Sequence, residues 1–163
     1  EARLDPLPVL RMNFPYRTRP GKRPPDRAPV LLASLHAELD AFCDRLGVGT
    51  DRIVLGGRSM GGRMCTMVAA EPTPVAGLVP ISYPLHPPGK PDKLRTEHFA
   101  DIGVPCCFVS GERDPFGTPD ELTAATAAIA GPVEHHWFPG GHDIKKADEA
   151  IAEVVADWIA RLR

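Results

Sequence analysis

The sequence has no apolar stretch near the roughly 18 residues that a membrane-spanning helix needs, and no signal-peptide pattern opens it. It also lacks an excess of one charge, since 19 Lys and Arg stand against 21 Asp and Glu. Its four cysteines, at positions 43, 65, 106 and 107, form no CxxC pair, and no residues show metal-ligand spacing. These absences argue against a membrane protein, a nucleic-acid-binding protein and a metal site. They favour a cytoplasmic protein with buried, reduced thiols.

A chain of 163 residues with 43% hydrophobic and 25% charged side chains suits one globular domain, here residues 1–163. One local basic cluster, "RTRPGKRPPDR" at 17–27, is rich in proline and predicts a solvated loop. The first residue is Glu1 rather than Met, which leaves open a true start further upstream.

Short apolar strands alternate with helices along the chain. The predicted strands are 9–16, 52–57, 75–82, 104–111 and 133–138, and the predicted helices are 30–46, 60–70, 118–130 and the segment from Lys145 onward. The helix at 30–46 repeats Leu32, Leu35, Leu39, Phe42 and Leu46, and Gly47 is placed to end it. This alternation predicts an α/β fold with a mostly parallel, doubly wound sheet. Reactive groups in such sheets gather at the carboxyl ends of the strands.

The strand at 52–57 runs into a G-x-S-x-G motif, Gly57-Arg58-Ser59-Met60-Gly61. This pattern predicts a sharp strand-to-helix turn that exposes a serine nucleophile, with glycines where side chains would collide with backbone. The helix that follows directs its amides at developing negative charge, and the Met60 N–H would donate to an oxyanion. The alternative is a glycine-rich turn with an incidental serine. With 15 glycines and 4 serines, a chance match is on the order of a few per cent.

Two polar residues follow later strands. Asp114 comes just after 104–111, where it suits either an acid that orients an imidazole or a simple turn residue. His142 lies in a glycine-rich loop after 133–138, where it is a candidate general base. Asp143 is expected to cap the final helix. The order Ser, Asp, His at successive strand ends is that of α/β-hydrolases.

A family resemblance rests on five stretches: "LRMNFPY", "GGRSMGGRM", "ISYPLHPPGKPDKLR", "VPCCFVSGERDPFG" and "GGHDIK". Together they resemble the small bacterial α/β-hydrolases described as dienelactone-hydrolase-like, over nearly the whole chain from residue 9. The resemblance implies an α/β-hydrolase fold with Ser59, Asp114 and His142 as the catalytic triad. True dienelactone hydrolases carry a cysteine nucleophile, whereas this elbow carries a serine, so a dienelactone is not the expected substrate.

The resemblance also implies a longer front portion, with further strands and an HGxG-type loop that supplies the second oxyanion donor. No such loop precedes residues 9–16. We therefore expect the given sequence to be either a fragment of a longer protein or a naturally truncated variant. The oxyanion site would keep Met60 and lose its partner, at a cost of about 100- to 1,000-fold in turnover. The sheet would also lack a strand between 9–16 and 52–57. The exposed edge would then favour a homo-oligomer.

Two residues are weaker candidates for substrate contact. His86 lies in the proline-rich segment 82–95, and Arg58 lies within the elbow, where it would favour an anionic substrate. For both, a solvated or structural role is the alternative.

Two functions remain. The first is a serine hydrolase that cleaves a small-molecule ester or thioester through an acyl-enzyme, with no cofactor, metal, nucleic acid or membrane. The second is a non-catalytic α/β-hydrolase-like module for binding or scaffolding, inactive because the oxyanion loop is missing.

Overall fold

The computed structural model describes residues 4–21 and 24–162. Its sheet has four parallel strands in the order β1-β2-β3-β4: β1 (Val54–Arg58), β2 (Gly77–Ile81), β3 (Cys106–Gly111) and β4 (Val133–Phe138). Gly56 stands opposite Val79 in the first pair of strands, and Val109 stands opposite His136 in the last. Because every pair is parallel, the carboxyl ends of all four strands meet at one edge of the sheet.

Helices cover both faces of this sheet, which confirms the doubly wound α/β class. They are α1 (Pro15–Thr18), α2 (Ala28–Leu46), α3 (Met60–Ala69), α4 (Pro119–Thr126) and α5 (Asp148–Arg161), with 3-10 turns at 50–52 and 99–101. The larger core lies between the sheet and α2, α3 and α4, whereas a smaller core lies between the sheet and α5. All four cysteines are free and buried, as predicted.

Several helix limits follow from local backbone geometry. Gly47 ends α2 in the left-handed conformation, at φ 65°, where its N–H bonds the carbonyls of Cys43 and Asp44. Helix α4 is shorter than predicted because Ala130 and Gly131 donate to the carbonyl of Ile102 and turn the chain toward β4.

The last helix, α5, begins at Asp148 rather than Lys145, because Lys146 has a φ of 58° and is not helical. Acidic residues then occupy its first turn, where they complement the positive end of the helix dipole. The predicted apolar face of α5 is confirmed, with Ile151 and Trp158 buried against the sheet.

The buried face of α2 differs from the predicted one. Leu31, Leu35, Leu39 and Cys43 are buried at four-residue spacing, whereas Leu46 is 37% exposed. The hydrophobic pattern of α2 is broader than the stripe that α3 covers. Its apolar residues outside the stripe are therefore left partly in contact with solvent.

The predicted strand at 9–16 is wrong. Residues 9–14 have no regular structure, and α1 begins at Pro15. An extended segment becomes a strand only when its backbone pairs with a neighbour, and no strand in the described part of the chain pairs with residues 9–14. Val9 and Met12 instead line an apolar cavity of about 600 Å³ that also touches Phe42 and β1. We call it the edge cavity, because β1 is the terminal strand on that side.

Residues 17 and 18 of the predicted loop at 17–27 belong to the short helix α1. The other described residues of this segment form no helix or strand, as predicted, and Lys22 and Arg23 lie outside the described residues. Within the ranges described, no helix is both long enough and apolar enough to cross a membrane.

Candidate active site

Ser59 stands at the turn between β1 and α3. Its backbone has a φ of 51° and a ψ of −118°, a conformation that residues with a side chain rarely adopt. The turn is held to the sheet because the Ser59 N–H donates to the carbonyl of Ile81 across 2.8 Å. This backbone conformation places the serine hydroxyl at the edge of the sheet where the strands end.

The glycines of the motif have different roles. A Cβ at Gly57 would lie 2.6 Å from the Gly62 nitrogen, and a Cβ at Gly62 would lie 2.6 Å from the Gly57 carbonyl oxygen. Gly61 has open space around it. The predicted collision therefore occurs at Gly57 and at the following Gly62, but not at Gly61. This close approach is what lets α3 start immediately beside β1.

Ser59, His142 and Asp114 are brought together by the structure. The Ser59 hydroxyl lies 2.7 Å from Nε2 of His142. The other ring nitrogen, Nδ1, lies 2.8 Å from Oδ2 of Asp114. A carboxylate only accepts hydrogen bonds, so Nδ1 carries the proton and Nε2 is free to accept one from the serine.

Asp114 is nearly inaccessible to solvent, at 2% exposure. Its second oxygen, Oδ1, accepts the backbone N–H of Phe116 across 2.9 Å. Asp114 therefore makes the contact that each of the two roles considered from the sequence requires, because one oxygen accepts a hydrogen bond within the turn and the other meets the imidazole. Fixing Oδ1 in the turn leaves Oδ2 directed at His142.

Met60 is the first residue of α3, directly after the serine. Backbone N–H groups in the first turn of a helix have no acceptor within that helix. The Met60 N–H therefore belongs to a group of amides directed out of the helix end beside Ser59.

Arg58 forms an ion pair with Asp143, through Nη2 and Oδ1. The expectation that Asp143 caps the last helix is wrong, because α5 begins at Asp148 and Ala147 is its N-cap. The adjacent residues Arg58 and Ser59 thus contact the adjacent residues Asp143 and His142. Sequence spacing alone does not show this contact, since 85 residues separate its two members.

His86 is buried in the loop after β2 rather than hydrogen bonded to Ser59, His142 or Asp114. Its Nδ1 lies 2.9 Å from the Pro87 carbonyl oxygen, and its Nε2 lies 3.5 Å from Oε2 of Glu121. The Thr118 N–H donates to the same Glu121 carboxylate, and these hydrogen bonds lower the pKa of Glu121. These contacts are those of a structural residue that joins the loop to the start of α4.

Phe116 is a site residue that the sequence reasoning missed. Its ring lies 4.2 Å from that of His142, centroid to centroid. The signal in the sequence that could have found Phe116 was its place two residues after the candidate acid, Asp114.

Among the described residues, no group of three His, Cys, Asp or Glu side chains is arranged to hold a metal ion.

Comparison with known families gives a match over nearly the whole chain. Residues 3–159 match the family described as an alpha/beta hydrolase domain. This match was anticipated by the resemblance drawn from the elbow and the segments that follow later strands.

Solved structures with a similar fold include three hydrolases. A metagenome-derived lipolytic enzyme aligns at a TM-score of 0.68 and 16% identity, covering 83% of this chain and 74% of its own. A monoacylglycerol lipase from Paleococcus ferrophilus aligns at a TM-score of 0.69 and 15% identity, covering 88% of this chain and 79% of the lipase. An alpha-beta serine hydrolase homologue from Coxiella burnetii aligns at a TM-score of 0.61 and 21% identity, covering 88% of this chain and 64% of the homologue. The chain therefore spans less than two thirds of the Coxiella protein. At these identities the likeness shows the fold.

Proposed function

The chain belongs to the alpha/beta hydrolase family, and from that premise we propose that it is a serine hydrolase acting on a small ester or thioester. The observation that carries the proposal is the continuous hydrogen-bonded path from Ser59 through His142 to Asp114, with distances of 2.7 and 2.8 Å. The similar folds of a lipolytic enzyme and a monoacylglycerol lipase support an ester as the substrate class.

In the proposed reaction Ser59 Oγ attacks the carbonyl carbon while His142 Nε2 takes the hydroxyl proton. Asp114 holds the imidazole in the tautomer that accepts at Nε2, and it stabilises the imidazolium once formed. The same proton then goes to the leaving alcohol or thiol. Water, activated by His142, releases the acyl group and restores the serine.

Negative charge develops on the carbonyl oxygen during both steps. We assign its stabilisation to the Met60 N–H at the start of α3, where the helix dipole adds to the hydrogen bond. Such sites ordinarily use two donors, and among the described residues we assign one. A site with a single donor would suit the second candidate function, a non-catalytic binding or scaffold module.

A fluorophosphonate probe separates the two, because it labels only a serine that is activated as a nucleophile. We expect intact-mass spectrometry to show one adduct on the wild type and none on Ser59→Ala. Ser34→Ala, which removes a hydroxyl on α2 away from the site, is the matched control and keeps the adduct. Asp114→Asn is expected to slow labelling by about 10⁴-fold, because the imidazole then adopts the wrong tautomer.

An adduct that persists on Ser59→Ala, or ester turnover that is unchanged in that variant, contradicts the proposed mechanism. A folded wild-type chain that takes no adduct favours the binding module.

A further inference from the structure

The elbow and the loop after β4 meet through two adjacent pairs of residues. Ser59 contacts His142, and the preceding Arg58 contacts the following Asp143. Both side chains of the second pair reach into solvent, with Arg58 49% and Asp143 69% exposed. An exposed contact of this kind adds little to the stability of the fold. Its position beside the candidate nucleophile and base suggests another role.

The loop that carries His142 is anchored on both sides. Before it, the Arg113 N–H donates to the carbonyl of Gly140 across 2.8 Å. After it, Ile144 is buried in the smaller core beside α5. Between these anchors lie Gly141, His142 and Asp143, which form no helix or strand. The ion pair joins this middle part directly to Arg58, the last residue of β1 and the neighbour of Ser59.

We propose that Arg58 and Asp143 form a latch that holds the His142 loop at hydrogen-bond distance from Ser59. This inference rests on the function proposed above and makes both residues positioning residues for it. The latch acts on the two reacting groups directly, because each of its members is the covalent neighbour of one of them. A loop shift that lengthened the distance from Nε2 to Oγ would also stretch the ion pair.

The effect on rate exceeds what the pair contributes to folding. Proton transfer requires the base within about 3 Å of the hydroxyl, and a misplacement of about 1 Å costs up to about 100-fold in rate. Loss of an exposed ion pair allows the loop to sample such displacements without unfolding it. The expected signature is a lower kcat with little change in KM, because the acylation geometry changes and the substrate contacts do not.

The experiment compares Arg58→Ala, Asp143→Ala, the double variant Arg58→Ala/Asp143→Ala and the charge swap Arg58→Glu/Asp143→Arg. Arg161→Ala is the matched control, because it breaks an equally exposed ion pair with Glu134 away from the elbow. Each single variant should slow fluorophosphonate labelling and lower kcat about 3- to 30-fold, with KM changed less than about twofold. The double variant should be no slower than the slower single variant. The charge swap should recover most of the loss, and the control should match the wild type.

Three results would overturn the latch: single variants that label at the wild-type rate, losses that multiply in the double variant, or a swap that recovers nothing. A KM increase confined to Arg58→Ala and to anionic esters would also overturn it, because Arg58 would then bind substrate.

A second readout keeps this test separate from that of the proposed function. Hydrogen exchange of residues 139–147 should be faster in both single variants than in the wild type, and it should return to the wild-type rate in the swap. This holds even if Ser59 takes no adduct. Unchanged exchange in the single variants counts against the latch, whether or not the serine is reactive.

Discussion

Phe116 lies against the imidazole of His142, with the ring centroids 4.2 Å apart and the planes inclined by 35°. Its backbone N–H also donates to Oδ1 of Asp114, whose other oxygen meets His142. One residue therefore contacts two members of the hydrogen-bonded path, through its backbone on one side and its ring on the other. We expect the ring to limit how far the imidazole can rotate away from Ser59.

We expect Phe116→Ala to slow fluorophosphonate labelling of Ser59 by about 3- to 10-fold, because the imidazole loses the surface that restrains it. The hydrogen bond to Asp114 is retained, since it comes from the backbone. Phe116→Tyr keeps the ring and should label near the wild-type rate. Phe42→Ala, which removes the same side chain at the edge cavity, is the control for a general packing defect. Labelling of Phe116→Ala at the wild-type rate would show that the ring has no positioning role.

Gly62→Ala should destabilise the protein, whereas Gly61→Ala should not. The new methyl group at Gly62 would lie 2.6 Å from the Gly57 carbonyl oxygen, and the backbone fixes the positions of both atoms. We expect the free energy of unfolding to fall by about 1 to 3 kcal/mol. At Gly61 the added Cβ meets open space, and alanine favours a helix by about 1 kcal/mol over glycine. Urea unfolding of the two variants measures both values, and equal effects would refute the assignment of the close approach.

The candidate site was more predictable than the edge of the sheet. Ser59, Asp114 and His142 each lie within four residues of the end of a strand, and parallel strands bring their carboxyl ends together, so order along the chain was enough to propose their proximity. The glycine pattern predicted the turn and its crowding but not that Gly62, rather than Gly61, is the second crowded position, because contact between Gly57 and Gly62 depends on the angle between β1 and α3. The ion pair of Arg58 with Asp143 depends on the path of an irregular loop, which no periodicity encodes.

The segment at 9–16 shows where local pattern fails. Its residues alternate as a strand does, yet pairing with another strand is a tertiary event. The same limit applies to α2, where the sequence gives a helix but not which part of a broad apolar surface α3 covers. Phe42 and Leu46 belong to the predicted core and instead line the edge cavity.

His98 should make stability depend on pH. Its Nε2 lies 2.9 Å from Oγ1 of Thr66, and burial lowers the pKa of His98 below the ordinary 6.5, against a smaller opposing effect of Glu97. Burial lowers the pKa of His135 in the same way, with a further contribution from His136. The unfolded chain thus binds more protons just below pH 6.5, so the stability is present above that pH and is lost as the pH falls through the folded-state pKa.

Urea unfolding at about pH 7.5 and about pH 5.5 measures this loss. His98→Gln keeps a polar group in place of the ring and cannot titrate, so it should reduce the difference between the two pH values. Ser34→Ala, on α2, changes no titratable group, so it is the control and should leave the difference as in the wild type. If His98→Gln and the wild type lose the same stability on acidification, the burial of His98 is not the cause.

The open side of β1 should support self-association. Leu7, Val9, Leu46 and Val48 all line the edge cavity and are all exposed, Leu7 to 50%, and a terminal strand beside such a surface readily pairs with a second chain. We expect the weight-average mass to rise between about 1 and about 100 µM in light scattering. Leu46→Lys should suppress this rise, because a charge at the edge opposes burial while a lysine at the end of α2 suits the helix dipole. Leu94→Lys, at an equally apolar exposed position that does not line the cavity, should associate like the wild type. A wild-type chain that stays monomeric throughout, or equal suppression by both substitutions, would exclude association through this edge.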